Sequence, residues 1–239
     1  MVAALTSVCE EPMFDWAALA ASSSAWQQRR RGARMVHLAL LKEHEVYEEK
    51  EVPPGVRPLS ARWVDNDNYE TAESRLTARG YEQRLSGDEH FYSATPNPAT
   101  LRMLLAVAQS LGLSVAVGDC AQAFLQAPLL EAEEVWVWPP EEAAAPPGHA
   151  WKLHKTLPGL KGGPAAWTQY ATSTKQELYD LTPSVYDSCV HSNVKDRVWV
   201  LRRMDDYLFV GPQSKLEHLT EDMAVTMLLR DVQLLEQGE

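Results

Sequence analysis

"RRMDDYLFVG", residues 202–211, sets two adjacent aspartates inside a run that is otherwise largely apolar and aromatic. Val198, Val200 and Leu201 precede the pair and Leu208, Phe209 and Val210 follow it, so the stretch reads as a β-hairpin with two apolar strands. Aspartate is a common turn residue, and a turn alone accounts for such a pair. It does not account for the setting, because two uncompensated carboxylates beside a core are costly. A divalent cation removes that cost, and adjacent carboxylates suit a magnesium site that keeps positions open for phosphate oxygens. A third ligand is then needed, and "VAVGDCAQAF" (115–124) supplies Asp119 at the end of another apolar strand. Paired in one sheet, the two strands bring three carboxylates to one edge. Such an edge can hold both the attacking and the leaving oxygen of a phosphoryl displacement around two metals.

Working outward, "PATLRMLLAVAQSLGL" (98–113) repeats apolar residues at helical spacing and is stopped by Gly112. "SRLTARGYEQ" (74–83) has strand composition up to a break at Gly80. "EVWVWPP" (134–140) and "AWKLHKTL" (150–157) read as further strands, and Pro164 opens a helix over 164–181. Residues 214–235 read as a closing helix. Residues 14–47 read as one or two helices, and the arginines at 29, 30, 31 and 34 as its solvated face. The prolines at 53, 54 and 58 then break the chain. A helical N-terminal extension over 1–52 and a main domain over 53–239 follow. The order of elements is mixed α+β.

Composition sets limits. The 239 residues suffice for one large domain or two lobes. Thirty-three acidic against 22 basic side chains give a net charge of -11, which repels a phosphate backbone unless the basic groups gather on one face. Cys9, Cys120 and Cys189 lie far apart and suggest neither a disulfide framework nor a zinc site. The N-terminus lacks the basic start of a signal peptide, and no apolar run approaches the roughly 18 residues of a membrane span. A protein of the cytoplasm or nucleus is expected, neither secreted nor membrane-bound.

Taken in order, the stretches "RLTARGYEQ", "VAVGDCAQAFLQAPL", "WKLHKTLPGLKGGPAAW" and "RRMDDYLFVG" resemble the reverse transcriptase of copia-type retrotransposons. That family typically reads K-A-R-L-V-A-R-G-Y-x-Q, L-D-V-K-T-A-F-L-N-G, L-x-K-S-L-Y-G-L-K-Q-A-P-R-A-W and Y-V-D-D, and the resemblance covers roughly residues 53–239. It implies a right-hand polymerase: fingers over about 53–112 and 128–160, and a palm over about 113–127 and 161–239. The palm is a small antiparallel sheet backed by helices, and the thumb is missing. It also implies an RNA-directed DNA polymerase that uses Mg2+, with Mn2+ as an alternative, on an RNA or DNA primer-template and deoxynucleoside triphosphates. Asp119, Asp205 and Asp206 match the catalytic, metal-binding aspartates. Among the nucleotide-binding positions, Arg75 matches an arginine that meets the triphosphate, Phe124 the aromatic beneath the sugar, and Lys161 a residue of a loop near the nucleotide.

The pattern also breaks. Glu73 replaces the lysine that opens the first motif and puts a negative charge where the triphosphate should arrive. Arg203 replaces the tyrosine before the aspartates, and Ala121 and Gln122 replace the lysine and threonine after Asp119. Two alternatives to a working enzyme therefore stand: a truncated, non-catalytic remnant of a retroelement polyprotein, and an acidic protein-interaction module. If the chain does act on nucleic acid, Arg75, Arg79, Arg84 and Lys161 should line the cleft that holds the aspartates.

Overall fold

The computed structural model describes residues 16–67, 72–84, 91–130 and 134–235, with side chains in the first helix from residue 25 onward. The start and end of the chain, and the tip of the polar loop before Thr95, fall outside the described residues.

The first element is one continuous helix, α1 (Trp16–Glu43), which runs through Gly32 without a break. A Cβ at Gly32 would meet nothing within 4 Å, so packing does not require glycine there. The helix ends where Glu45 turns left-handed (φ 51) and the Val46 N–H donates to the Leu41 carbonyl. It is not a detached extension in its packing. Leu38 and Leu41 are buried with Leu76, Trp151 and Leu157 in one cluster, and apolar area withdrawn from water is what holds the helix down.

The expected solvated arginine face is also a set of ties. Arg34 donates to Asp65 and to Glu142 at 2.7 Å each, while the Arg30 guanidinium lies 3.3 Å over the Trp26 ring. Asp65 and Glu142 sit on separate segments, so Arg34 fastens α1 to both.

The chain then forms β1 (Tyr47–Glu51), a strand inside the stretch read as helical extension. It pairs antiparallel with β6 (His149–Leu153), which also pairs with the two-residue β5 (Trp136–Val137). Tyr47 stacks on Trp151 at 3.9 Å. A separate hairpin is made by β2 (Ala61–Asp67) and β3 (Ala72–Ala78).

Two glycines set the junction that follows. A Cβ on Gly80 would lie 2.1 Å from the Gly159 carbonyl, and one on Gly159 (φ 90) would lie 2.2 Å from the Ala78 carbonyl. Backbone therefore meets backbone where "RGY" and "PGL" cross, and only glycine fits.

The second unit is a six-stranded antiparallel sheet with order β11-β4-β10-β9-β8-β7. Its strands are β4 (Ser114–Cys120), β7 (Thr182–Pro183), β8 (Val190–Asn193), β9 (Val198–Arg203), β10 (Asp206–Gly211) and β11 (Leu229–Leu235). The period of two divides the side chains between two faces. Ala116, Val200, Tyr207 and Phe209 face one core together with Trp167 and Ala171 of α4 (Gly163–Tyr179) and Leu216 and Met223 of α5 (Gln213–Thr226). Leu201 and Val210 face another with Leu104 and Ala108 of α2 (Pro98–Leu111). Helix α2 begins under an Asn97 cap that accepts from the Ala99 N–H and ends, at the stop expected from its sequence, on left-handed Gly112 (φ 59). A one-turn helix, α3 (Ala123–Gln126), follows β4.

The closing helix expected over 214–235 is shorter. Helix α5 stops at Thr226, left-handed Leu228 (φ 51) turns the chain, and 229–235 returns as β11 beside β4. A Cβ on Gly118 of β4 would lie 3.1 Å from Leu229 and 3.3 Å from the Arg230 carbonyl, so β11 presses closely on that strand. Pairing with an open sheet edge supplies hydrogen bonds and burial for Leu229 that no local pattern records.

Candidate active site

The hairpin is built as its sequence implies. Strands β9 and β10 join through Met204 and Asp205, with Met204 left-handed (φ 58) and Arg203 opposite Asp206. Such short loops need positive φ to match strand twist. Trp167, fully buried on α4, donates from its indole Nε1 to the Met204 carbonyl at 2.7 Å, and Arg202 donates to the same carbonyl at 3.3 Å. The tryptophan of "GGPAAW" thus clamps the turn that carries the aspartates.

Strand β4 lies antiparallel to β10 with Asp119 directly opposite Asp206, and the Cys120 N–H donates to the Asp205 carbonyl at 2.8 Å. Asp119, Asp205 and Asp206 each offer a carboxylate oxygen, all within 4.8 Å of one another, at one edge of one sheet. Desolvation raises the Asp205 carboxyl above its ordinary range. The nearby Asp119 and Asp206 charges add to the rise, while its own backbone amide and Arg75 oppose it. Three acidic groups at this spacing suit hard divalent cations, which oxygen ligands hold.

Two cavities meet at these carboxylates. One, of about 340 Å³, is bordered by Asp119 and Asp205, by Glu73 and Arg75 of β3, by Phe124, by Val36 and His37 of α1, and by Arg230 of β11. The other, of about 660 Å³, lies toward the start of α2 and is bordered by Asp119, Asp206, Arg203, Asn97 and Pro98.

The remaining residues expected at the site separate into two groups. Arg75 and Phe124 line the first cavity, and the Phe124 ring would lie 3.3 Å from a Cβ on Gly163, so the "GG" before Pro164 lets the ring sit close to α4. Lys161 lies outside that lining; its backbone N–H donates to the Gln83 side chain at 2.8 Å and its ammonium to the Gln83 carbonyl at 3.2 Å. Arg79 and Arg84 are likewise absent from either lining. Glu73 stands in the cavity as anticipated, 3.8 Å from the Arg75 guanidinium.

Two groups at the site were not anticipated. Arg230 donates from Nε to the Asp119 carboxylate at 3.0 Å. His37 borders the cavity with Nε2 buried and without a hydrogen-bond partner among the described residues, and desolvation, with the Arg75 charge, lowers its pKa to about 4. The first lies on β11, where a helix is expected from sequence, and the second on α1, a helix as expected, where no sequence signal marks it.

Comparison with known proteins agrees with this geometry. The family described as reverse transcriptase (RNA-dependent DNA polymerase) matches residues 44–237. The chain belongs to that reverse transcriptase family. It is similar to the retrovirus-related Pol polyprotein from transposon TNT 1-94 of Nicotiana tabacum, at 31% identity over 80% of this chain and 15% of that protein. It is also similar to the retrovirus-related Pol polyproteins from transposons RE1 and RE2 of Arabidopsis thaliana, at 29% and 27% identity, each over 71% of this chain and 12% of the relative. This reverse transcriptase chain therefore spans about a seventh or less of the polyproteins it matches. No described helix is long and apolar enough to cross a membrane.

Proposed function

We propose that this chain is the fingers-and-palm part of an RNA-directed DNA polymerase from a copia-type retrotransposon polyprotein, working in the cytoplasm or nucleus. Asp119, Asp205 and Asp206 are its catalytic metal ligands. The observation that carries the reading is the convergence of these three carboxylates within 4.8 Å at one sheet edge. The donor set fits Mg2+, or Mn2+ as an alternative, because all three ligands are carboxylate oxygens and a cation relieves their mutual repulsion. When bound, such ions supply a clamp on the attacking and leaving oxygens of an in-line displacement.

The chain's own residues do the rest. Trp167 holds the turn so that Asp205 and Asp206 keep their places. Arg75, in the smaller cavity, meets the triphosphate of a deoxynucleotide, since a planar guanidinium suits phosphate oxygens. Phe124, on the same cavity, underlies the sugar and crowds a 2′-hydroxyl. Lys161 is a further phosphate contact, one that must first leave Gln83. In this reading β2, β3, β5 and β6 are fingers and the six-stranded sheet with α4 and α5 is palm; α1 and β1, expected as an N-terminal extension, pack with the fingers through Leu38, Leu41 and Val46, and α2, expected among the fingers, packs on the palm sheet through Leu104 and Ala108.

A second reading, a folded but non-catalytic remnant, is favoured by Glu73 beside Arg75 and by Lys175, buried on α4 with no hydrogen-bond partner for Nζ among the described residues. Incorporation of deoxynucleotides on a primed RNA template with Mg2+ or Mn2+ separates the two, with D205N as the blank. Little extension is expected from the 239-residue stretch on its own, and more after E73K is introduced. No extension with E73K would leave the remnant reading.

A further inference from the structure

Among the described residues, Arg230 is the cation in direct contact with a carboxylate of the aspartate cluster. The backbone register brings the residue itself beside Asp119. Strand β11 sets Arg230 directly opposite Asp119 across the β4 ladder. Left-handed Leu228 and Asp231 (φ 51 and 52) bracket it, and the ladder shifts register just beyond. The buried Gln126 side chain donates to the carbonyls of Ala121 (2.7 Å) and Met227 (3.0 Å), tying the exit of β4 to the entry of β11. The close approach at Gly118 holds the same two strands together. Held this way, the guanidinium lies 3.0 Å from Asp119 and 3.7 Å from Asp231 and borders the cavity that also contains Asp205.

We propose that Arg230 is an internal competitor of the divalent cation: its guanidinium occupies the Asp119 carboxylate until the metal displaces it, which sets a threshold on metal affinity. This inference rests on the metal-site reading above. Asp119 serves either partner with the same charge, and a guanidinium left in place puts a positive charge within a few ångströms of the incoming ion. That charge opposes a divalent cation more strongly than it attracts one carboxylate. Because Arg230 is more than half exposed, solvent moderates the effect. Its removal should tighten metal binding by about threefold to tenfold. A merely structural ion pair would act in the opposite sense, since its loss would free Asp119 to wander and weaken binding.

The test is Mn2+ titration of the whole 239-residue chain, followed by the paramagnetic resonance of free Mn2+, for the unmodified protein, R230Q, R230K and D119N. R230Q should bind Mn2+ about threefold to tenfold more tightly, R230K should bind as the unmodified chain does, and added salt should narrow the gap. Equal or weaker binding by R230Q overturns the proposal while leaving the metal site intact. Absence of Mn2+ binding in every form overturns the proposal and the metal-site reading together. A second measurement keeps the test independent of variant folding: titration of the unmodified chain with diamagnetic Mg2+, observed through the arginine Nε–H resonances. One hydrogen-bonded Nε–H should move to the solvent-exposed position as metal binds. Its persistence at saturating metal would also overturn the proposal.

Discussion

The indole Nε1 of Trp167 donates to the carbonyl of Met204 at 2.7 Å, so a residue 37 positions upstream fixes the turn carrying the aspartate pair. W167F keeps most of the apolar contact in the core and deletes that donor. It should destabilise the chain by about 2 kcal/mol, part lost hydrogen bond and part cavity, and weaken divalent binding as the turn loosens. Urea unfolding with a parallel metal titration measures both. A loss below about 0.5 kcal/mol would mean that Arg202 alone holds the turn.

The glycine crossing between Gly80 and Gly159 makes a sharper claim. G159A must place a Cβ at positive φ, 2.2 Å from a backbone carbonyl. No side-chain rotation relieves a clash with backbone, so a loss of about 3 kcal/mol or more is expected. G32A, on the open side of α1, should be neutral or slightly stabilising. The thermal unfolding midpoint should therefore fall for G159A and stay level or rise for G32A.

Lys175 is fully buried, with no hydrogen-bond partner for its Nζ among the described residues. Burial, helped by the Arg202 charge, pushes its pKa well below the lysine range. The unfolded chain binds that proton up to about pH 10.4 and the folded chain does not, so stability rises with pH across the interval. His191, lowered to about 3, and His37, lowered to about 4, act in the same sense on the acid side, where stability falls as the pH drops below about 6.5. Cys120, raised to about 12 by burial first and Asp119 next, opposes the trend once unfolded thiols ionise above about 8.5. Stability should thus climb from pH 4 to about 8.5. K175M should raise it by about 1–3 kcal/mol at neutral pH and flatten the slope between pH 7 and about 8.5, as read by denaturant midpoints across pH. An unchanged slope would show that the amine finds a partner.

Glu73 lies 3.8 Å from Arg75, and both border the smaller cavity. E73K removes a negative charge and frees the guanidinium, so the dissociation constant of a deoxynucleoside triphosphate, measured by calorimetry with Mn2+ present, should fall by about threefold to tenfold. Unchanged affinity would place the triphosphate away from β3.

The aspartate hairpin, the strand ending on Asp119 and helix α2 were legible because each carries its own signal: apolar strands flanking charge, or helical spacing closed by glycine. Strand β11 was not. Leu228, Leu229, Leu234 and Leu235 are spaced as a helix allows, and its turn comes from a leucine at positive φ rather than from glycine or proline. Strand β1, "YEEKE", is mostly exposed and charged, and it is a strand only because β6 lies beside it. Arg34 looked solvated because its partners, Asp65 and Glu142, stand 31 and 108 residues away. At the site, Arg230 was hidden with β11, whereas His37 stands on a helix legible as a helix and carries no signal of its own.

The two cavities give the aspartate pair a further property. Asp205 borders one and Asp206 the other, while Asp119 borders both. The pair is a partition wall one residue thick, with a chamber on either side and a shared post between them. A group in either chamber therefore reaches the same Asp119 carboxylate. The arrangement depends on the turn being this short: Asp205 closes it and Asp206 opens β10, so the wall changes sides in a single residue.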